Sequence, residues 1–235
     1  MKINGFQKLT LLDFPGKVAC ILFTPGCNFR CPFCHNASLV THIEGGDYPE
    51  EEILSYLKKR QGLLDGVVVT GGEPTLQKDL GDFLGKVKAL GYAVKLDTNG
   101  SRPEIVKQLV AEGLVDYIAM DVKNSPAMYA RTVGLETMDL APVEESLRFL
   151  IDGNVDYELR TTLVSQLHTE ESIQDMGQWL GGLVTGMKPK QLFLQSFVDR
   201  DTVLFAGLSA PEADTTAEFA KILEPFCQRV TIRNR

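Results

Sequence analysis

Short apolar, β-branched runs alternate along the chain with longer stretches whose apolar residues recur every three to four positions. The runs predict strands over residues 17–24 (K-V-A-C-I-L-F-T), 66–70, 92–97, 116–121, 157–164 and 191–197. The periodic stretches predict helices starting near Pro49 and Pro103, and over residues 80–90, 142–151, 169–180 and 210–226. Leu80, Phe83, Leu84, Val87 and Leu90 share one face of the helix over 80–90, and Gly91 is a fitting stop. Glu50, Glu51 and Glu52 favour the positive N-terminal end of the helix after Pro49. Thr169 suits an N-cap. Residues 124–140 show neither period and read as a mobile loop.

Six β-then-α units imply a parallel sheet covered by outer helices. The unusual polar words fall just after strand ends, where a parallel barrel carries its active site. A complete eight-fold barrel typically needs about 250 residues. Six units point to an α/β fold of partial, open (β/α)6 TIM-like form, a single domain over residues 1–235.

The totals narrow the function. The chain has 235 residues, 44% hydrophobic and 23% charged, enough for a sizeable core without disulfide staples. A net charge of -7 argues against nucleic acid, which rewards basic faces. The opening M-K-I-N-G-F-Q-K-L-T lacks the apolar segment of a secretory signal, and the apolar runs are too short to span a bilayer. A cytoplasmic location is expected. Four of the five cysteines lie between positions 20 and 34, which in a reducing compartment signals metal or redox chemistry.

Three of them read Cys27-x-x-x-Cys31-x-x-Cys34 inside T-P-G-C-N-F-R-C-P-F-C-H-N. Three thiolates on one short loop can grip three irons of a four-iron cluster. The fourth iron is then open to a substrate, whereas a plain electron carrier is held by four cysteines. Gly26 permits a tight turn and Pro32 restricts the loop. Zinc held by the same cysteines with His35 is the alternative, although structural zinc more often shows paired C-x-x-C knuckles. Cys20, inside the first strand, and Cys227 read as buried small hydrophobes.

These words resemble the radical S-adenosylmethionine superfamily, with Phe33 as the aromatic residue before the last cysteine. L-L-D-F-P-G-K, followed by G-C-N-F-R-C-P-F-C-H-N, is similar to the activating enzymes of glycyl-radical proteins, nearest those of anaerobic ribonucleoside-triphosphate reductase. The resemblance implies a 4Fe-4S cluster on Cys27, Cys31 and Cys34, with S-adenosylmethionine on its open iron. Reductive cleavage would give a 5′-deoxyadenosyl radical that takes a glycine Cα hydrogen from a partner glycyl-radical enzyme. It further implies a reductant such as flavodoxin or ferredoxin. A radical enzyme of the same superfamily acting on a small molecule or another peptide, as pyruvate formate-lyase activating enzymes do, is the runner-up, and a non-catalytic electron-transfer module is the third reading.

The later words carry the rest. Gly71-Gly72-Glu73-Pro74 follows a strand; two glycines let a ligand approach, and Glu73 or nearby carbonyls can accept from an ammonium. A simple turn is the bland reading. In the superfamily this word holds the amino group of S-adenosylmethionine. D-T-N-G places Asp97 and Asn99 at the cofactor site by the same resemblance. Asp121-Val122-Lys123 resembles the family's D-L-K, with a surface ion pair as the alternative for Lys123. Arg160 interrupts an apolar strand and needs a partner, either the cofactor's carboxylate, the substrate backbone or a structural salt bridge. Gln195, in L-Q-S-F-V, stands near where pyruvate formate-lyase activating enzymes carry a histidine. Asp13, in D-F-P-G, is either a turn residue or close to the partner's glycine loop. His42 and His168 fall in no motif and read as loop or cap residues, and Trp179 reads as core.

Overall fold

The computed structural model describes residues 1–41, 46–200 and 202–233. His42 lies outside them. The chain forms two compact units, Met1–Asn28 with Ser38–Ala119, and Phe29–Ala37 with Met120–Arg235.

The first unit opens with β1 (Gly5–Thr10), antiparallel to β2 (Ala19–Thr24), with an irregularity between Gln7 and Thr10. β1 shows no apolar alternation because only Thr10 among its residues is buried. Then come α1 (Ala37–Thr41), α2 (Glu50–Lys59), β3 (Gly66–Gly71), a 3₁₀ turn at Pro74–Leu76, α3 (Leu80–Ala89), β4 (Ala93–Thr98) and α4 (Pro103–Ala111), and β5 (Tyr117–Asp121) runs from the first unit into the second. β2, β3 and β4 run parallel, in a register that aligns Cys20 with Val67 and Val94, and Leu22 with Val69 and Leu96. All six are fully buried on one face. On the other face Ile21 and Val68 pack with Phe14 and Ala19. Lys95 stands beside Val68 in that row, buried at 1% exposure.

The second unit holds α5 (Pro126–Thr132), α6 (Ala141–Ile151), β6 (Asp156–Leu163), α7 (Glu170–Gly182), β7 (Leu192–Ser196), α8 (Ala213–Leu223) and β8 (Val230–Arg233). β6, β7 and β8 are parallel. One face carries Leu159, Thr161, Leu163, Leu192 and Leu194, all buried. The opposite face is polar: Arg160 pairs with Phe193, Thr162 with Gln195, and Gln195 with Arg233. Thr169 caps α7 as expected. Its hydroxyl accepts from the Ser172 N–H at 3.2 Å, and the Ser172 hydroxyl accepts from the Thr169 N–H at 3.0 Å.

The strands follow chain order, β1 to β8, in an open, mostly parallel sheet. Two strands exceed the six expected, β1 and β8, and both are too short or too exposed to carry a readable pattern. Residues 124–140 are not simply a loop: they contain α5, whose Pro126 takes the first helical turn and whose seven residues are too few to show a period. The last helix is shorter than expected at both ends. No described helix is long and apolar enough to cross a membrane.

Candidate active site

The first cysteine follows β2. Gly26, at φ 84°, turns the chain there, and its carbonyl accepts from the Glu73 N–H at 2.7 Å. The Gly72 N–H donates to the Thr24 carbonyl at 2.8 Å. A Cβ on Gly72 would lie 2.0 Å from the Gly26 oxygen. The close approach that Gly72 serves is therefore to the backbone leading into Cys27.

Glu73 is buried at 1% exposure and both of its carboxylate oxygens accept hydrogen bonds. Oε1 accepts from the Thr75 N–H at 3.1 Å, the Thr75 hydroxyl at 2.6 Å and the Thr98 hydroxyl at 2.8 Å. Oε2 accepts from the Asn99 N–H at 2.7 Å. Burial pushes the carboxyl upward, and these donors pull against that shift. G-G-E-P and D-T-N-G are thus one hydrogen-bonded piece. Pro74 opens the 3₁₀ turn that completes it. Asp97 forms an ion pair with the buried Lys95 ammonium at 2.5 Å. Asn99 donates through Nδ2 to Asn28 Oδ1 at 2.9 Å and faces Cys27 Sγ at 4.0 Å.

In the second unit, Cys31 and Cys34 sit on a tight turn, with the Cys34 N–H donating to the Cys31 carbonyl at 3.1 Å. The segment is fastened on several sides. The Arg30 N–H donates to the Val133 carbonyl at 2.8 Å, and a Cβ on Gly134 would meet the Arg30 oxygen at 2.2 Å. The Phe205 N–H donates to the Pro32 carbonyl at 3.1 Å. His35 Nε2 donates to the Val198 carbonyl at 2.7 Å, and its ring stacks on Phe197. Burial pushes the Cys31 thiol up to about 11 and the Cys34 thiol upward, while the Lys123 ammonium draws both down.

Asp121 stands between two cations. Its Oδ1 lies 2.9 Å from Arg160 Nε and its Oδ2 2.9 Å from Lys123 Nζ. Burial alone would raise this carboxyl, but Arg160 and then Lys123 hold it well below the usual range. The Lys123 ammonium is in turn held charged against burial by Asp121, and lies 6.0 Å from the centre of the Phe33 ring. The backbone of Lys123 is fixed by His168. Its Nε2 donates to the Lys123 carbonyl at 2.9 Å, and its Nδ1 accepts from the Val164 N–H at 3.0 Å. Burial lowers the His168 pKa and keeps the ring neutral. His168 thus lies in the loop before α7, as expected, and acts there as a buried brace.

The remaining residues are placed as follows. Asp13 closes its turn by accepting from the Thr10 hydroxyl at 2.5 Å. Gln195 is half-buried in the row with Thr162 and Arg233. Trp179 is half-buried, its indole N–H donating to Glu144 at 2.9 Å. Cys20 and Cys227 are buried, each thiol raised by burial to about 12. Three charged groups gave no clear signal in the sequence. Lys95 was readable only as a lysine in an apolar strand. Glu158 and Arg233 pair at 3.0 Å, with the guanidinium over the Phe193 ring, and only the fold brings them together.

The donor set suits an iron–sulfur cluster. None of the three loop cysteines is in a disulfide, and thiolates are the ligands such clusters take. Among the described residues no three His, Cys, Asp or Glu side chains converge on one point. A cluster asks for no such convergence, because each thiolate binds a different iron.

Residues 21–180 match the model of the radical SAM superfamily. The chain is 32% identical to a candidate glycyl-radical enzyme activating enzyme of Methanocaldococcus jannaschii, over 98% of this chain and 95% of that protein. It is 29% identical to a 7-carboxy-7-deazaguanine synthase of Koribacter versatilis, over 64% of this chain and 63% of that one. The crystal structure of a domain of pyruvate-formate lyase-activating enzyme from Bacteroides vulgatus shares the fold, with a TM-score of 0.57, 20% identity, and coverage of 72% of this chain and 98% of that one. The superfamily works with a 4Fe-4S cluster and S-adenosylmethionine, and this displaces zinc as the reading of the cysteine loop. The chain belongs to the radical SAM superfamily and, within it, to the glycyl-radical enzyme activating family.

Proposed function

We propose that this enzyme activates a glycyl-radical enzyme, anaerobic ribonucleoside-triphosphate reductase, in the cytoplasm, with flavodoxin or ferredoxin as reductant. The observation that carries the reading is the relative named as an activating enzyme, which matches nearly end to end. When bound, the cluster and S-adenosylmethionine together supply a 5′-deoxyadenosyl radical able to remove a glycine Cα hydrogen.

The chain's own residues bind, orient and shield. Cys27, Cys31 and Cys34 would hold three irons. Glu73 has both oxygens committed to internal donors, so a backbone carbonyl of the Gly71–Pro74 word is the better acceptor for the ammonium of S-adenosylmethionine. Glu73 and Pro74 would shape that loop. Asp97, paired with Lys95, would contribute a fixed negative charge at the end of β4. Arg160 and Lys123 both flank Asp121. Cationic side chains of this kind suit the cofactor's carboxylate, which takes charge-assisted bonds from such donors. Gln195 would add a neutral contact beside them, and Asp13 would lie near the partner's glycine loop.

The test is anaerobic. Reconstituted protein, dithionite, S-adenosylmethionine and the reductase should give a glycyl radical signal by electron paramagnetic resonance. Cleavage to 5′-deoxyadenosine with no radical on the reductase, together with turnover of a small molecule, would reassign the substrate. No cleavage at all would remove the radical chemistry.

A further inference from the structure

The D-T-N-G resemblance assigns Asn99 to the cofactor. The geometry points instead to Asn99 as a positioning residue that donates an N–H to the Cys27 sulfur and raises the reduction potential of the cluster. This rests on Cys27 being a cluster ligand.

The orientation of the Asn99 amide is fixed by its neighbours. Its backbone N–H is tied to Glu73 Oε2 at 2.7 Å, and the residue is buried. Oδ1 accepts from the Ser101 N–H at 3.0 Å, a group that only donates, so the oxygen end of the amide is identified. Nδ2 then donates one hydrogen to Asn28 Oδ1 at 2.9 Å. That donor orients Asn28 in turn: its Oδ1 accepts, which leaves its Nδ2 to donate to the Ser101 hydroxyl at 2.8 Å. The second hydrogen of Asn99 Nδ2 faces Cys27 Sγ at 4.0 Å.

That contact is long for a neutral thiol. A thiolate carries charge and is the stronger acceptor, so iron binding at Cys27 should shorten it. Hydrogen bonds to cluster sulfurs are among the settings of its potential, since they favour the form with more negative charge. Reduction adds that charge, so the Asn99 donor eases it. The buried Glu73 carboxylate acts one step further back, by holding the Asn99 backbone.

The test is the midpoint potential of the reconstituted protein, measured without S-adenosylmethionine by a redox titration followed by electron paramagnetic resonance. Asn99→Ala should keep the iron content of the unaltered protein and shift the midpoint to a lower value. Asn99→Asp keeps the acceptor for Ser101 but replaces the donor with a charged oxygen, and should shift it lower still. Asn28→Ala loosens the same loop yet leaves the Asn99 donor, so its midpoint should not fall. An unchanged midpoint in Asn99→Ala, or an equal fall in Asn28→Ala, overturns the assignment. So does loss of iron from both Asn99 variants with normal iron in Asn28→Ala, which would make Asn99 a folding residue. Absence of iron from the unaltered protein would instead defeat the cluster reading itself.

Discussion

Glu73→Gln separates a scaffold from a ligand. Each carboxylate oxygen of Glu73 faces a backbone N–H, from Thr75 on one side and from Asn99 on the other. Both oxygens must therefore accept. Glutamine has one acceptor oxygen. Oriented toward the three donors at Oε1, it turns its NH2 against the Asn99 N–H, and two buried donors oppose each other. Leaving a buried donor unsatisfied costs about 1–3 kcal/mol, and the lost bond was charge-assisted, so we expect a loss of about 2–4 kcal/mol. For a chain of this size each kcal/mol moves Tm by about 2–4 °C, giving a fall of roughly 5–15 °C. The assay is thermal unfolding of the cluster-free protein, followed by circular dichroism, with no cofactor present. If Tm stays within about 1 °C while affinity for S-adenosylmethionine in the loaded protein falls, Glu73 is a ligand and the scaffold reasoning is wrong.

Alanine at Cys27, Cys31 or Cys34 should abolish the cluster and all cleavage of S-adenosylmethionine, whereas alanine at Cys20 or Cys227 should leave iron content intact; iron analysis after anaerobic reconstitution decides. Arg160→Ala should retain the cluster and weaken S-adenosylmethionine binding by about 10- to 150-fold, the worth of a charge-assisted bond of about 1.5–3 kcal/mol; an unchanged Kd would make Arg160 a structural ion-pair residue. His168 is neutral in the fold with a lowered pKa, so the unfolded chain takes up its proton first. Its contribution to stability is full above the ordinary histidine value of about 6.5 and is lost as pH falls below it toward the folded value; urea unfolding against pH should show that slope in the unaltered protein and not in His168→Gln. Gly177→Ala drives a Cβ to within 2.4 Å of the Phe226 ring and should cost about 1–3 kcal/mol, read by the same unfolding midpoint.

What could be read from the chain alone follows from how local each signal is. The strands β2 to β7 and the helices α2, α3, α4, α6 and α7 show their period within their own residues. The cysteine spacing, G-G-E-P and D-T-N-G are contiguous words. What stayed hidden depends on pairing at a distance. Nothing near Glu73 announces that its acceptors will be taken by Thr98 and Asn99, some 25 residues on. His168 stands in no motif, and only the return of the chain after β6 lays it against the Lys123 carbonyl. Gly134 looks like an ordinary loop glycine until the Arg30 carbonyl is found against it. α5 escapes notice because a helix of two turns has no period to show.

The surroundings of the loop cysteines pull in two directions, and the balance bears on cluster assembly. Burial favours the neutral thiol, which is why Cys31 stands near 11. The nearest polar partners act the other way: the Asn99 amide presents a donor to Cys27, and the Lys123 ammonium lowers the Cys31 and Cys34 thiols. Burial prevails at both Cys31 and Cys34 and raises each thiol. Iron binding at these cysteines would have to release the protons, since only the thiolate is a ligand. The donors and the ammonium would then favour the charged sulfurs.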